Sequence, residues 1–188
     1  GLTEVILPDS LITIGNNAFD GCSSLRIINI PNSVQTINQS VFSNCENLQY
    51  NRYDNAFYLG NEENRYLCLV RARNATITSC EINNGCRFIF GGAFNSCSNL
   101  ASIEIPDKVL NIGNDAFYYC SSLKSVIFGK SIKYIQGGAF NFCSSLQMAI
   151  FPNSLEYIGG YAFADCSSLK TVYLPNSVSF INGVNPSF

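Results

Sequence analysis

Histidine is absent from this chain, and although cysteine occurs nine times no two stand as Cys-x-x-Cys. Both absences argue against zinc and against a metal centre generally. Charge is scarce as well, at 13% of the 188 residues against an average near ~25%. The 11 basic residues are scattered and the formal net charge is −2, so there is no electrostatic footprint for nucleic acid or for an anionic membrane. No run approaches the ~20 consecutive apolar residues that cross a bilayer, and the N-terminus has no basic-then-apolar signal segment. The first residues already follow a strand pattern (Leu2, Val5, Leu7, Pro8), so the sequence reads as starting inside a longer chain and the missing leader is uninformative. What the chain does have is apolar material, 47% of its residues, enough for one continuous core.

That material is periodic. Phe19, Phe42, Phe94, Phe117, Phe140 and Phe163 recur every 23 residues, apart from one interval of 52 that holds an ordinary repeat and one of 29. A fixed period of this size means a solenoid, in which each repeat buries its apolar face only against its neighbours. Cys follows each Phe by three residues (Cys22, Cys45, Cys97, Cys120, Cys143, Cys166), and Leu follows each Cys by three. Two apolar slots separated by an exposed residue come next, as in Ile103 and Ile105, then usually Pro; that alternation marks a half-buried strand. Eight such strands are expected, opening at Leu2, Leu25, Leu48, Ile77, Leu100, Leu123, Leu146 and Leu169 and stacked about 4.8 Å apart. An extended Pro-x-Ser-Val segment leads to a buried Ile (Ile14, Ile37, Ile89, Ile112, Ile135, Ile158). The Asn-x-Ala-Phe-x-x-Cys piece after it has the length of one or two helical or 3₁₀ turns, with Asn or Asp as cap. The fold class expected is an α/β solenoid: a horseshoe with a parallel β-sheet on one face and short helical or 3₁₀ turns on the other, forming a single domain over residues 1–188.

The long repeat, at roughly residues 48–76, departs from this scheme. Counting back from Phe94 places Cys80, Ile82 and Cys86 in core slots, Arg71 where Phe is expected and Asn74 where the ladder Cys is expected, hence buried. Upstream, Ala56 to Val70 reads as a β-hairpin around a polar turn at Asn61 to Asn64, protruding from the solenoid edge. After Ile181 the pattern fails, Asn185-Pro186 standing in place of Ala-Phe, which reads either as a terminal cap or as the end of a fragment.

The stretch Leu100 to Leu123, with its Leu-x-x-Ile-x-Ile-Pro-x-x-Val-x-x-Ile-Gly-x-x-Ala-Phe-x-x-Cys-x-x-Leu pattern, resembles the leucine-rich repeats of BspA-like bacterial surface proteins, a class also expanded in some parasitic protists. The hairpin-bearing repeat is similar to an irregular unit in such arrays of gut bacteria, in which Asn can replace the ladder Cys. The resemblance implies a surface or secreted protein that adheres to host matrix proteins or to other bacteria. It implies no residue-level site, because different arrays carry different surfaces on one scaffold.

Candidate sites follow from the residues themselves. The cysteines read as buried free thiols: side chains at equivalent positions of successive coils run parallel, which is poor geometry for a disulfide. Glu81 and Glu104 share an exposed strand column at about 5 Å, the carboxylate spacing of a retaining glycosidase. The alternative is a solvated pair, with Arg52 in the same column available to Glu81, and the sequence shows no cleft. Further along, Ile127, Met148, Ile150 and Tyr173 form an apolar patch on the strand face, of the sort that marks contact sites, or else cross-strand pairs that only stabilise the sheet. A second strip holds Phe88, Tyr134, Tyr157 and Phe180. Two sequons, at Asn38 and Asn74, carry little weight. The reading is a non-catalytic protein-binding module without cofactor, on a cell surface or secreted. Its partner is a protein, with host matrix the resemblance's suggestion. Ile127, Met148, Ile150 and Tyr173 serve as anchors, and Arg52, Glu81 and Glu104 as polar selectors. A spacer displaying another domain is the alternative and a carbohydrate-active enzyme the least favoured; nine thiols would fit a reducing compartment equally well.

Overall fold

The computed structural model describes residues 1–182; Asn185 and Pro186 therefore lie outside the described residues. The chain winds into a β-solenoid of about eight turns. Its strands are, in chain order, β1 (Glu4–Ile6), β2 (Thr13–Ile14), β3 (Ile27–Asn29), β4 (Thr36–Ile37), β5 (Asn51–Tyr53), β6 (Ala56–Leu59), β7 (Cys68–Ala72), β8 (Phe88–Ile89), β9 (Ser102–Glu104), β10 (Asn111–Ile112), β11 (Ser125–Ile127), β12 (Tyr134–Ile135), β13 (Met148–Ile150), β14 (Tyr157–Ile158), β15 (Thr171–Tyr173) and β16 (Phe180–Ile181). The three-residue strands other than β5 form one face as parallel pairs in the register of the repeat, with Val5 opposite Ile28, Ile103 opposite Val126 and Ala149 opposite Val172. The two-residue strands form the second face, where β8, β10, β12, β14 and β16 run parallel in one sheet.

The expected helical or 3₁₀ turns are not found: there is no helix among the described residues. The Ala-Phe segment carries two left-handed residues per coil, four apart. Asn17, Ser40, Gly92, Asp115, Gly138 and Tyr161 fill the first position, with φ between 54° and 68°. Gly21, Asn44, Ser96, Tyr119, Phe142 and Asp165 fill the second, with φ between 54° and 73°. A residue with positive φ cannot continue a right-handed helix, so the Asn and Asp read as caps are the turn residues themselves. Alternate backbone donors of the turn go to the next coil instead. Phe94 N donates to Ala116 O at 2.6 Å, Phe117 N to Ala139 O at 2.7 Å and Phe140 N to Ala162 O at 2.7 Å.

The core is built on these turns. Phe94, Phe117, Phe140 and Phe163 stack with centroids 4.9, 4.9 and 5.1 Å apart and rings within 10° of parallel. Three ladder thiols donate to the carbonyl of the Phe one coil earlier, Cys120 to Phe94, Cys143 to Phe117 and Cys166 to Phe140, all at 3.2 Å. All nine cysteines are free, and all but Cys22 are buried.

The hairpin does not protrude. β6 and β7 are antiparallel, as are β5 and β6, and all three join the eight-stranded sheet beside β8. Tyr58, Leu59, Leu67, Cys68 and Leu69 are buried. Successive side chains of a strand point to opposite faces, and here both faces are covered. Ala56, Tyr58, Leu69 and Ala72 belong to the core of the C-terminal coils, whereas Leu59, Leu67, Cys68 and Phe88 belong to that of the N-terminal coils. The solenoid therefore has two cores that share one wall, and Phe42 stacks on Phe90 at 5.9 Å instead of on Phe94. Cys80, Ile82 and Cys86 are buried. Asn74 is exposed, not buried; its Oδ1 accepts from Thr76 N and Oγ1 at 3.0 and 2.7 Å, a local turn that needs no core slot.

Burial pushes the thiols of Cys86 and Cys120 from an ordinary 9.0 up to about 12, and that of Cys97 to about 11. These groups stay protonated in the fold but ionise in the unfolded chain above its ordinary value, so their contribution is complete below about pH 9 and is lost as pH rises toward 12. Thermal melts between about pH 8 and 11 are expected to show a falling midpoint from about pH 9 upward; a flat profile would contradict the buried-thiol account. Phe117→Ala is expected to cost about 3–5 kcal/mol in a denaturant titration, because it empties the middle of the ring stack.

Candidate functional site

The strand face presents the apolar column. Ile127, Met148, Ile150 and Tyr173 are 63%, 48%, 56% and 59% exposed, so each offers about half or more of its side chain to solvent. Alternation produces this: Val126, Ala149 and Val172, one residue away in β11, β13 and β15, turn inward to the core. Ile150 lies opposite Tyr173 and Met148 opposite Thr171, while Ile127 lies opposite Glu104. These side chains form one patch bordered by a carboxylate.

No strand ladder carries Arg52 or Glu81 into that column. Arg52 lies in β5, whose partner is the antiparallel β6, and faces Phe57. Glu81 lies outside any strand although its neighbours Cys80 and Ile82 fill core slots. There the parallel ladder is replaced by side chains, with Glu81 N donating to Asp54 Oδ2 at 2.8 Å and Asn55 Nδ2 to Ser79 O at 3.0 Å. The partner of Glu81 is the phenol of Tyr53, which donates to its Oε1 at 2.6 Å, and not Arg52. The ion pairs among the described residues are Lys130 with Asp107 and Lys133 with Glu156, each at 3.1 Å. Glu104 sits in β9 beside β11, so no ladder places it against Glu81.

In the second strip, Phe88 is buried beneath the N-terminal coils, whereas Tyr134 and Phe180 are exposed. Asn111, Tyr134, Tyr157 and Phe180 stand in register across β10 to β16, and the rings of Tyr157 and Phe180 stack at 5.5 Å, 1° from parallel.

Three features escaped the sequence reading. On the turn edge Tyr119 and Phe142 stack at 4.8 Å, with Tyr118 edge-on to Phe142 at 5.6 Å. Both stacked residues are left-handed, at φ 60° and 59°, in a column that elsewhere holds Gly21, Asn44, Ser96 and Asp165. Bulky side chains at positive φ carry strain, and those two substitutions in an otherwise small and polar column were the available signal. Beside them Asn141 Oδ1 is buried without a hydrogen-bond partner among the described residues. The other two features are concavities. One, of about 730 Å³, adjoins β1 and β3 and carries the carboxylates of Glu4, Asp9, Glu62 and Glu63 with the guanidinium of Arg65. The second, of about 790 Å³, opens between the N-terminal coils and the second sheet. Both join segments far apart in sequence, and no column foretells them. Among the described residues no three His, Cys, Asp or Glu side chains are grouped to hold a metal ion, and no helix is long and apolar enough to cross a membrane.

Parallel strands stacked in a 23-residue register, with Leu, Ile, Phe and Cys ladders inside, define a leucine-rich-repeat solenoid. Residues 1–62 and 72–184 match the BspA type leucine rich repeat region in six copies, and the chain belongs to that family. The interruption, residues 63–71, falls on the hairpin turn and the first part of β7. Among solved structures, a leucine-rich repeat protein from Bacteroides ovatus is 31% identical over 95% of this chain and 39% of its own, with a TM-score of 0.52. The Treponema pallidum leucine rich repeat protein is 29% identical over 97% of this chain and 75% of its own, with a TM-score of 0.54. The pneumococcal vaccine antigen PcpA shares the fold, at 18% identity, 94% and 52% coverage and a TM-score of 0.59. No curated protein matched the chain. The chain thus spans well under half the length of its Bacteroides relative.

The contact between Glu81 and Tyr53 is open to a direct check. The hydrogen bond to the carboxylate raises the Tyr53 phenol above its ordinary 10.0, and the nearby negative charge acts in the same direction. In a titration followed by ring-carbon NMR, Glu81→Gln is expected to return Tyr53 toward the ordinary value; an unchanged midpoint would mean that Glu81 is not its partner.

Proposed function

We propose that this chain is a non-catalytic protein-binding module of a cell-surface or secreted protein, and that its partner docks on the strand face. The observation that carries the reading is the registered group Ile127, Met148, Ile150 and Tyr173, four large apolar side chains open to solvent on three adjacent coils. Clustered exposed apolar side chains tend to mark contact sites, and aromatic anchors in such a patch supply much of an interface's energy. Membership of a leucine-rich repeat family is consistent with a protein-binding repeat module. Glu104, at the border of the patch, selects for a partner with a donor or a cation beside its apolar contact. Glu81, which follows the hairpin between two core residues of the C-terminal coils, and Arg52, in β5, act as separate polar contacts for a partner long enough to reach them. Host extracellular-matrix protein is the class that the family resemblance suggests.

The test is a surface-binding assay of this chain against immobilised matrix proteins and against intact bacterial and host cells. Ile150→Ser with Tyr173→Ser is expected to weaken specific binding by about tenfold or more, equivalent to about 1.4 kcal/mol or more. Unchanged binding by the double variant removes the strand face from the proposal. Silence of the unaltered chain across the panel favours a spacer that displays another domain.

A further inference from the structure

A solenoid whose coils stay in register presents a flush side. This one does not, because the hairpin wall sets the N-terminal coils against the face of the second sheet rather than at its edge. The offset leaves the cleft of about 790 Å³, within the ~300–1,000 Å³ range of small-ligand sites. One wall comes from β4 and the turn after it, the other from the turns that follow β8, β10 and β12.

The chemistry of the lining is uniform. Eight of its residues are Asn or Gln, and Asp115 is its one Asp, Glu, Lys or Arg. A carboxamide offers two donors and an acceptor, the pattern that matches a hydroxyl, which both donates and accepts. With no cation present, a phosphate or sulfate group would be desolvated without compensation. Several of these amides are unused. The side chains of Gln35, Asn38, Gln39 and Asn114 make no hydrogen bond to another described residue. Asn111 is held in place, its Oδ1 accepting from Gln136 Nε2 at 2.9 Å, which leaves its own amide donors free. The ring of Tyr134 borders the cleft and is exposed. Beyond it Tyr157 and Phe180 continue in register but stack face to face on each other, so Tyr134 is the ring that the cleft itself offers. Hydroxyl-matching amides beside the exposed ring of Tyr134 suit a chain of sugar rings, whose edges are polar and whose faces carry C–H groups.

We propose that the cleft binds a neutral oligosaccharide, with Gln35, Asn38 and Asn114 hydrogen-bonding its hydroxyls and one sugar ring lying on Tyr134. The site is separate from the strand face, so it stands or falls independently of the protein-binding reading.

Isothermal titration calorimetry on the whole chain tests it, with linear neutral oligosaccharides of glucose, of mannose and of N-acetylglucosamine as probes and a sulfated heparin oligosaccharide as the charged control. Binding of at least one neutral probe and not of the sulfated one is expected. Tyr134→Ala and Asn114→Ala are each expected to weaken it by about tenfold, while Ile150→Ser with Tyr173→Ser leaves it unchanged. Thermal melts establish that the variants are folded, and Asn38→Ala on the opposite wall repeats the test at an exposed position. No heat with any neutral probe, preference for the sulfated control, or undiminished binding by the cleft variants would each overturn the proposal; a cleft that instead receives a protein loop would give the first of these.

Discussion

The backbone N–H of Phe19, Phe94, Phe117 and Phe140 each points forward to a carbonyl of the next coil, and the other features of the molecule depend on that direction of pairing. A helix would have satisfied the same groups within its own segment. Here the two left-handed residues in each turn aim alternate donors along the solenoid axis, so a coil leaves those donors unsatisfied until its neighbour is in place. The ring stack and the thiol donors act along the same axis, from Cys120 back to Phe94 and from Phe117 forward to Phe140. An isolated repeat therefore lacks its axial hydrogen-bond partners and the neighbours that complete its core, which is the physical content of nearest-neighbour stability in solenoids.

The hairpin interrupts this axial pairing and replaces it. β6 and β7 pair laterally, and their side chains alternate between two cores that would otherwise be one. Tyr58 illustrates the cost of such a position: a phenol inside the C-terminal core, its hydroxyl retained by accepting from Asn83 N at 3.3 Å. Arg71, at the slot of a ladder Phe, is exposed and rests over the ring of Phe57 at 4.4 Å. The same wall that merges the two arrays also displaces them, and the amide-lined cleft is a result of that displacement.

The columns were legible because a buried slot repeated in every coil tolerates few side chains: Leu100, Ile103, Ile112, Phe117 and Cys120 occupy the interior that their spacing predicts. The exposure of Ile127, Ile150 and Tyr173 followed from strand alternation alone. The turns were misread because Asn and Asp serve both as helix caps and as left-handed residues; Gly21, Gly92 and Gly138 in the same two columns were the evidence for the second role. The hairpin was seen but misplaced, since Leu67 to Val70 is apolar without alternation, a mark of burial on both faces. The cleft was invisible, because its walls come from residues such as Asn38 and Asn114 whose meeting depends on how the two arrays pack.

The shared wall also constrains how the array can change length. Coils C-terminal to β8 repeat one set of contacts, so the duplication or loss of a whole 23-residue unit there would preserve every ladder. At the junction itself the contacts do not repeat: the stack of Phe42 on Phe90 and the alternation of β6 and β7 between two cores are each made once. Descendants of this chain can therefore grow or shrink on the far side of the junction, while the junction itself is inherited whole or not at all.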